Sequence, residues 1–260
     1  MIKKIRLDNK PTTLKIVVAT QRTEKIWIKV ADPTKKNTYY IKRFANVKGK
    51  KSFFVNMPIS PMVADVIVYN ANNGLSERDR SFKVLQIKRL PLQVTPLMKL
   101  SKKTKSFVRF AEEFCQSAGY IPSSRDGETY KSNNGKFRID YFDVITSKGD
   151  KSKISTPARI SQLTGKIEVS AQAFRKYTIP MRMAILMHEY SHFFVNKVPS
   201  DESEADINGL KIYFTIGYPK ISAYNVFLNV FKRSPSMQNK QRYELLDNFI
   251  RDYKEKEDEK

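Results

Sequence analysis

Residues 180–214 read PMRMAILMHEYSHFFVNKVPSDESEADINGLKIYF. The chain's only two histidines, His188 and His192, fall here four residues apart, with Glu189 directly after the first. Positions i and i+4 of an α-helix stand one turn apart on the same face. Both imidazoles can therefore reach one ion if this stretch is helical, and its surroundings predict that it is. Pro180 suits a first-turn position. Met183, Met187, Tyr190 and Phe194 form an apolar stripe at spacings of four, three and four, and Ala184, His188 and His192 line the stripe beside it. Asn196, Lys197 and Pro199 end the segment. Glu189 is rotated by about 100° from His188, so it borders an ion held there rather than duplicating a ligand.

Two imidazoles leave a tetrahedral zinc short of protein ligands. No third histidine exists, so a nearby carboxylate is required. Asp201-Glu202-Ser203-Glu204-Ala205-Asp206 follows within a few residues, and Pro199 and Ser200 can start a second helix there. On that helix Glu202, Asp206 and Gly209 share a face at i, i+4 and i+7, while Ile207, Leu210 and Phe214 form a buried stripe. Glu202 can point back at the imidazoles. Asp206, one turn deeper, can accept the second ring N–H of a ligand histidine and fix its tautomer. Gly209 would let the two helices approach closely.

His188-Glu189-Tyr190-Ser191-His192 followed by Glu202-Ser203-Glu204-Ala205-Asp206 resembles the gluzincin zinc metallopeptidases, with HExxH and then ExxAD on the next helix. The resemblance covers about residues 100–215. It implies a zincin-like domain in which His188, His192 and Glu202 bind Zn2+, Glu189 is the general base and Asp206 supports a ligand histidine. The gap 193–201 is shorter than many gluzincins use, and Asp201, Glu204 or Asp206 are alternatives for the third ligand. The metzincin pattern is absent, because Val195 and Val198 stand where its Gly and third His would be. The implied activity is a zinc metalloendopeptidase acting on a protein or peptide substrate. The tetrahedral intermediate needs an oxyanion donor. Tyr213, Tyr218 or a nearby Arg must serve, although Tyr213 lies eleven residues past Glu202, about 16 Å along a helix. The stretch 166–170 reads as an edge strand for an extended substrate, or as an ordinary sheet strand.

Outward from the motif, the period changes. Residues 1–90 alternate as short β-branched or aromatic strands at 13–20, 25–31, 38–44, 52–57, 63–69 and 81–87, separated by Asn, Asp, Gly, Pro and Lys clusters. That spacing predicts an antiparallel β-sandwich or small barrel. Pro91 and Pro96 end the pattern. Beyond them a helix is expected over 106–118, a loop over 120–136, a strand over 137–145 and a hairpin over 158–170, with helices dominating from Pro180. The fold class is therefore α+β: an N-terminal antiparallel β-sandwich for binding or assembly over 1–95, then a zincin-like domain over 96–260. Residues 251–260, mixed in sign, read as a fraying helix end or tail.

The 260 residues carry 48 Lys and Arg against 26 Asp and Glu, a net charge of +22. Residues 1–100 hold 21 basic and 6 acidic side chains. Such a surface attracts an acidic protein assembly, nucleic acid or anionic lipid; solvated lysines on an exposed sheet are the alternative. One cysteine, Cys115, excludes a disulfide scaffold and reads as a core residue. No apolar run is long enough for a membrane span, and no apolar stretch follows the basic start as a signal peptide requires. The expectation is a chain that is cytoplasmic at synthesis. Its Lys, Asn, Ile and Tyr richness, and a β-sandwich joined to a zincin-like domain, are similar to structural-block proteins of tailed phages, including the crAss-like group. That similarity implies the alternative of a virion-associated neck, ring or tail component.

Overall fold

A computed structural model describes residues 1–147, 152, 156–233 and 235–253. The chain divides into two compact units, Met1–Val94 and a second beginning at Thr95.

In the first unit, β1 (Ile2–Arg6), β2 (Thr12–Ala31), β3 (Tyr39–Met57), β4 (Val63–Asn70) and β5 (Phe82–Pro91) form one antiparallel sheet in the order β1-β4-β2-β3, with β5 also on β2. The short strands expected at 13–20 and 25–31 are one strand, as are those at 38–44 and 52–57. Gln21, Arg22 and Thr23 interrupt the apolar alternation, but none of them stops an extended chain, so β2 continues with a register shift between Thr20 and Glu24. β2 thus pairs with β3 over nearly its whole length, and its other edge is shared between β5 (Thr12–Thr20) and β4 (Ile26–Ala31). Where the sequence predicts a sandwich or small barrel, the described strands of this unit bond as a single antiparallel sheet, because β2 runs unbroken and pairs with β3, β4 and β5. Leu14, Ile16, Val18, Ile26, Ile28 and Val30 are fully buried. β1 escaped the sequence reading because three of its five residues are basic.

The second unit starts with α1 (Lys102–Ser117), where the Ser101 hydroxyl accepts from the Thr104 N–H. A four-stranded sheet follows, built of β6 (Glu128–Lys131), β7 (Arg138–Phe142), β8 (Ala158–Ile160) and β9 (Ile167–Ser170) in the order β6-β7-β9-β8. β7 and β9 run parallel and the other pairs antiparallel. Two expectations are corrected here. The loop expected over 120–136 contains β6. The stretch 166–170 is no edge strand: β9 lies between β7 and β8, because the turn at 161–166 folds β8 back along its outer side. The remaining elements are α2 (Ala171–Phe174), α3 (Ile179–Phe194), α4 (Glu202–Thr215), α5 (Lys220–Arg233) and α6 (Met237–Asp252). The described residues thus form an α+β chain with an antiparallel sheet and six helices. Of the tail expected over 251–260, residues 254–260 lie outside the described residues. No described helix is long and apolar enough to cross a membrane.

Aromatic packing fixes α3 within its unit. Tyr190 stacks on Phe107 with centroids 4.2 Å apart and on Phe194 at 4.7 Å, and Phe137 meets Phe107 edge-on. Arg182, fully buried, donates to the Phe174 and Cys115 carbonyls and so ties α3 to the ends of α2 and α1. Buried Cys115, its thiol pushed up by desolvation, is a packing residue.

The approach of α4 to α3 is closest at Gly209. A Cβ there would lie 2.8 Å from the His188 nitrogen and 2.9 Å from its Cα. Both are backbone atoms and cannot rotate away. Gly209→Ala is therefore expected to lower stability by about 1–3 kcal/mol, measured by chemical denaturation, and to weaken metal binding with it.

Candidate metal centre

The site grows from the end of α3, the start of α4 and the short loop between them. α3 begins with Ile179-Pro180, with Pro in its first turn, and carries the imidazoles at its far end. α4 is capped by Asp201, whose carboxylate accepts from the Glu204 N–H at 2.9 Å. The Glu204 carboxylate in turn accepts from the N–H groups of Lys197 and Val198. The Asn196 side chain donates to the Asp201 carbonyl. These bonds brace the connection, so a gap of nine residues suffices. They also occupy two of the alternatives for the third ligand, since Asp201 and Glu204 are both spent on the backbone.

His188, His192 and Glu202 converge. The two Nε2 atoms are 3.1 Å apart, and Glu202 places Oε2 3.5 Å from that of His188 and Oε1 3.5 Å from that of His192. Four donors held at about 2.0–2.1 Å in a tetrahedron lie about 3.3 Å from one another, so the spacing fits one small divalent cation. The outer faces of both rings are held as well. His192 Nδ1 is 2.7 Å from the Pro199 carbonyl, which selects the tautomer that leaves Nε2 free to ligate. His188 Nδ1 is 2.8 Å from Asp206 Oδ1, and Asp206 is fully buried. Asp206 therefore lies behind the His188 ring, outside the three-residue cluster.

The sequence reading did not find Arg242, on α6. Its Nε reaches Asp206 Oδ2 at 2.7 Å, and its Nη2 reaches Asp206 Oδ1 and Glu202 Oε2, each at 3.0 Å. One guanidinium thus clamps both carboxylates in the paired geometry that arginine favours. A basic residue in Gln241-Arg242-Tyr243-Glu244, more than thirty residues downstream, carries no local signal of this role. The only hint was the need for an arginine near the site. Tyr213 and Tyr218 do not supply the group expected of them. The Tyr213 hydroxyl donates to the Pro219 carbonyl, the Tyr218 hydroxyl to Glu112, and neither lines the cavity. Both are buried core residues, Tyr213 late on α4 and Tyr218 beyond its end.

Glu189 is buried beside the ligand cluster and accepts from the Ile160 backbone N–H. Burial pushes its carboxyl up to about 7 against the opposing charge of His188. Burial alone would keep His188 neutral, but Asp206, with Glu202 and Glu189 behind it, raises the ring to about 10. His192 is lowered by burial and by the charge on His188. Glu202, despite desolvation, is held down at about 2 by His188 and Arg242. A cavity of 410 Å³ opens over these groups. Pro157, Ala158, Arg159 and Ile160 of the β8 edge line one wall, and Ile185, Val226 and Phe227 form an apolar part of the lining.

No known protein family, curated protein or solved structure matches the chain. The reading of the site rests on its own geometry.

Two outcomes are expected. At pH 7 protonated His188 must give up its proton to a cation, and Glu189, poised near 7, gives up part of a second, so binding should release about one to two protons per ion. Affinity should climb with pH until His188 titrates near 10. Calorimetry in buffers of different ionisation enthalpy measures both. Arg242→Met should weaken metal binding by about 10–100-fold, read by competition with a chromophoric chelator.

Proposed function

We propose that the second unit is a zinc-dependent endopeptidase, with His188, His192 and Glu202 as metal ligands and Glu189 as general base. The observation that carries the reading is the set of donor separations, 3.1, 3.5 and 3.5 Å, with a buried carboxylate next to them and unused as a ligand. An N2O donor set with an open position favours zinc, which supplies Lewis acidity and a water of lowered pKa.

The chain's own groups divide the remaining work. Glu189 takes the proton of the attacking water and passes it to the leaving amine, the task of a carboxylate poised near neutrality. Asp206 and Arg242 hold His188 and Glu202 in place. Arg242, bonded to Glu202 and Asp206 and lining the cavity, is the cationic group assigned to the negative charge that develops. β8, paired among the described residues on one side only, with β9, has its other edge beside the cavity, where an extended peptide can add as a further strand.

Glu189→Gln is expected to keep the metal and to lower cleavage of an unfolded protein substrate by about 10²–10⁴-fold. His188→Ala is expected to lose the metal itself, measured by elemental mass spectrometry. Wild-type-like cleavage by Glu189→Gln would remove the assigned base. Metal-loaded protein that cleaves nothing would favour a structural role, such as a phage neck, ring or tail component.

A further inference from the structure

The first unit carries a second arrangement that the hydrolytic reading does not use. Tyr69, Trp27 and Phe44 are direct cross-strand partners on β4, β2 and β3, so three rings stand in one row across three strands. Trp27 lies 5.3 Å from Phe44 and 6.3 Å from Tyr69, nearly parallel to the latter, and Phe44 is 49% exposed. Inward packing does not explain the row, because the alternate residues Ile26, Ile28, Val66 and Val68 fill the buried face.

Lysines flank the row on both sides. Lys29 and Lys42 are direct partners in the next row, and Lys25 stands in the row before it. The Lys25 ammonium lies 4.0 Å from the Phe44 centroid, and that of Lys29 lies 4.8 Å from Tyr69 and 5.6 Å from Trp27. Like charges set directly opposite each other across a sheet are unfavourable, and among the described residues none of these three lysines is paired with a carboxylate. An anion between them would relieve the repulsion. Each four-carbon stem lets the ammonium swing from a ring to a phosphate.

We infer that this face of the sheet binds single-stranded nucleic acid, with bases stacking on Tyr69, Trp27 and Phe44 and phosphates meeting Lys25, Lys29 and Lys42. An acidic protein would engage the lysines but has no need of three adjoining rings. A duplex keeps its bases stacked inside and offers the rings nothing. Unpaired bases with a phosphate backbone match both features at once.

Trp27 is the only tryptophan, so selectively excited tryptophan fluorescence reports on this face. Titration of the full chain with the oligonucleotide dT20 should quench it. Three phosphate contacts predict a logarithmic salt slope of about −2, roughly a 20-fold loss of affinity between 50 and 200 mM salt. Phe44→Ala, at an exposed position, should weaken binding by at least about fivefold, and Lys29→Ala should flatten the salt slope by about 0.7. Absence of quenching at low salt would overturn the inference. So would equal affinity for a duplex of the same length, or a response confined to phosphatidylserine vesicles or an acidic protein. Phe44→Ala binding like wild type would overturn the stacking platform.

Discussion

Three ligands from two helices can meet at one point only if the helix backbones nearly touch. α3 and α4 satisfy this where Gly209 faces His188, with no space for even a methyl group. The helical period then does the rest. His188 and His192 differ by one turn on α3, Glu202 and Asp206 by one turn on α4. Close contact therefore brings an imidazole against a carboxylate at two successive levels. The upper level makes the ligand cluster and the lower level makes the His188–Asp206 contact. A wider helix separation would break both levels together.

Such closeness concentrates charge in a buried place, and the surrounding elements answer it. Asp206 is fully buried, and a buried carboxylate without partners is strongly unfavourable. It faces His188 on one side and the Arg242 guanidinium on the other. Arg242 also reaches Glu202, so α6 is held to the site by the charges it neutralises. This is how the last described helix, remote in sequence, becomes part of the His188–His192–Glu202 site.

The legible part of this molecule was what local spacing carries. The imidazole pair, the carboxylates one turn apart and the small residue between helices all follow from a period of 3.6, so His188, His192, Glu202, Asp206 and Gly209 could be placed beforehand. Strand alternation similarly disclosed the sheet. What spacing does not carry was missed or misplaced. Arg242 acts through tertiary contact across some forty residues. β8 and β9 were legible as a hairpin, but which of them forms the sheet edge depends on β7 pairing with β9. β1 is too charged to look like a strand until β4 pairs with it. The tyrosines were candidates for their hydroxyls, and contacts with the Pro219 carbonyl and Glu112 occupy those hydroxyls in the core.

Charge balance links the proposed base to the proposed metal. Without a cation, protonated His188 supplies the positive charge between Asp206 and Glu202, and Glu189, desolvated beside them, is held near neutrality. A divalent ion would replace that one proton with two charges. The net gain favours ionised Glu189, the form that can accept a proton from water. Burial disfavours the base in the empty site, and the same low-dielectric surroundings strengthen its attraction to the cation in the filled one. On the proposed function, basicity of Glu189 would thereby be coupled to occupancy of the site: the carboxylate would become a competent base once an ion is in place.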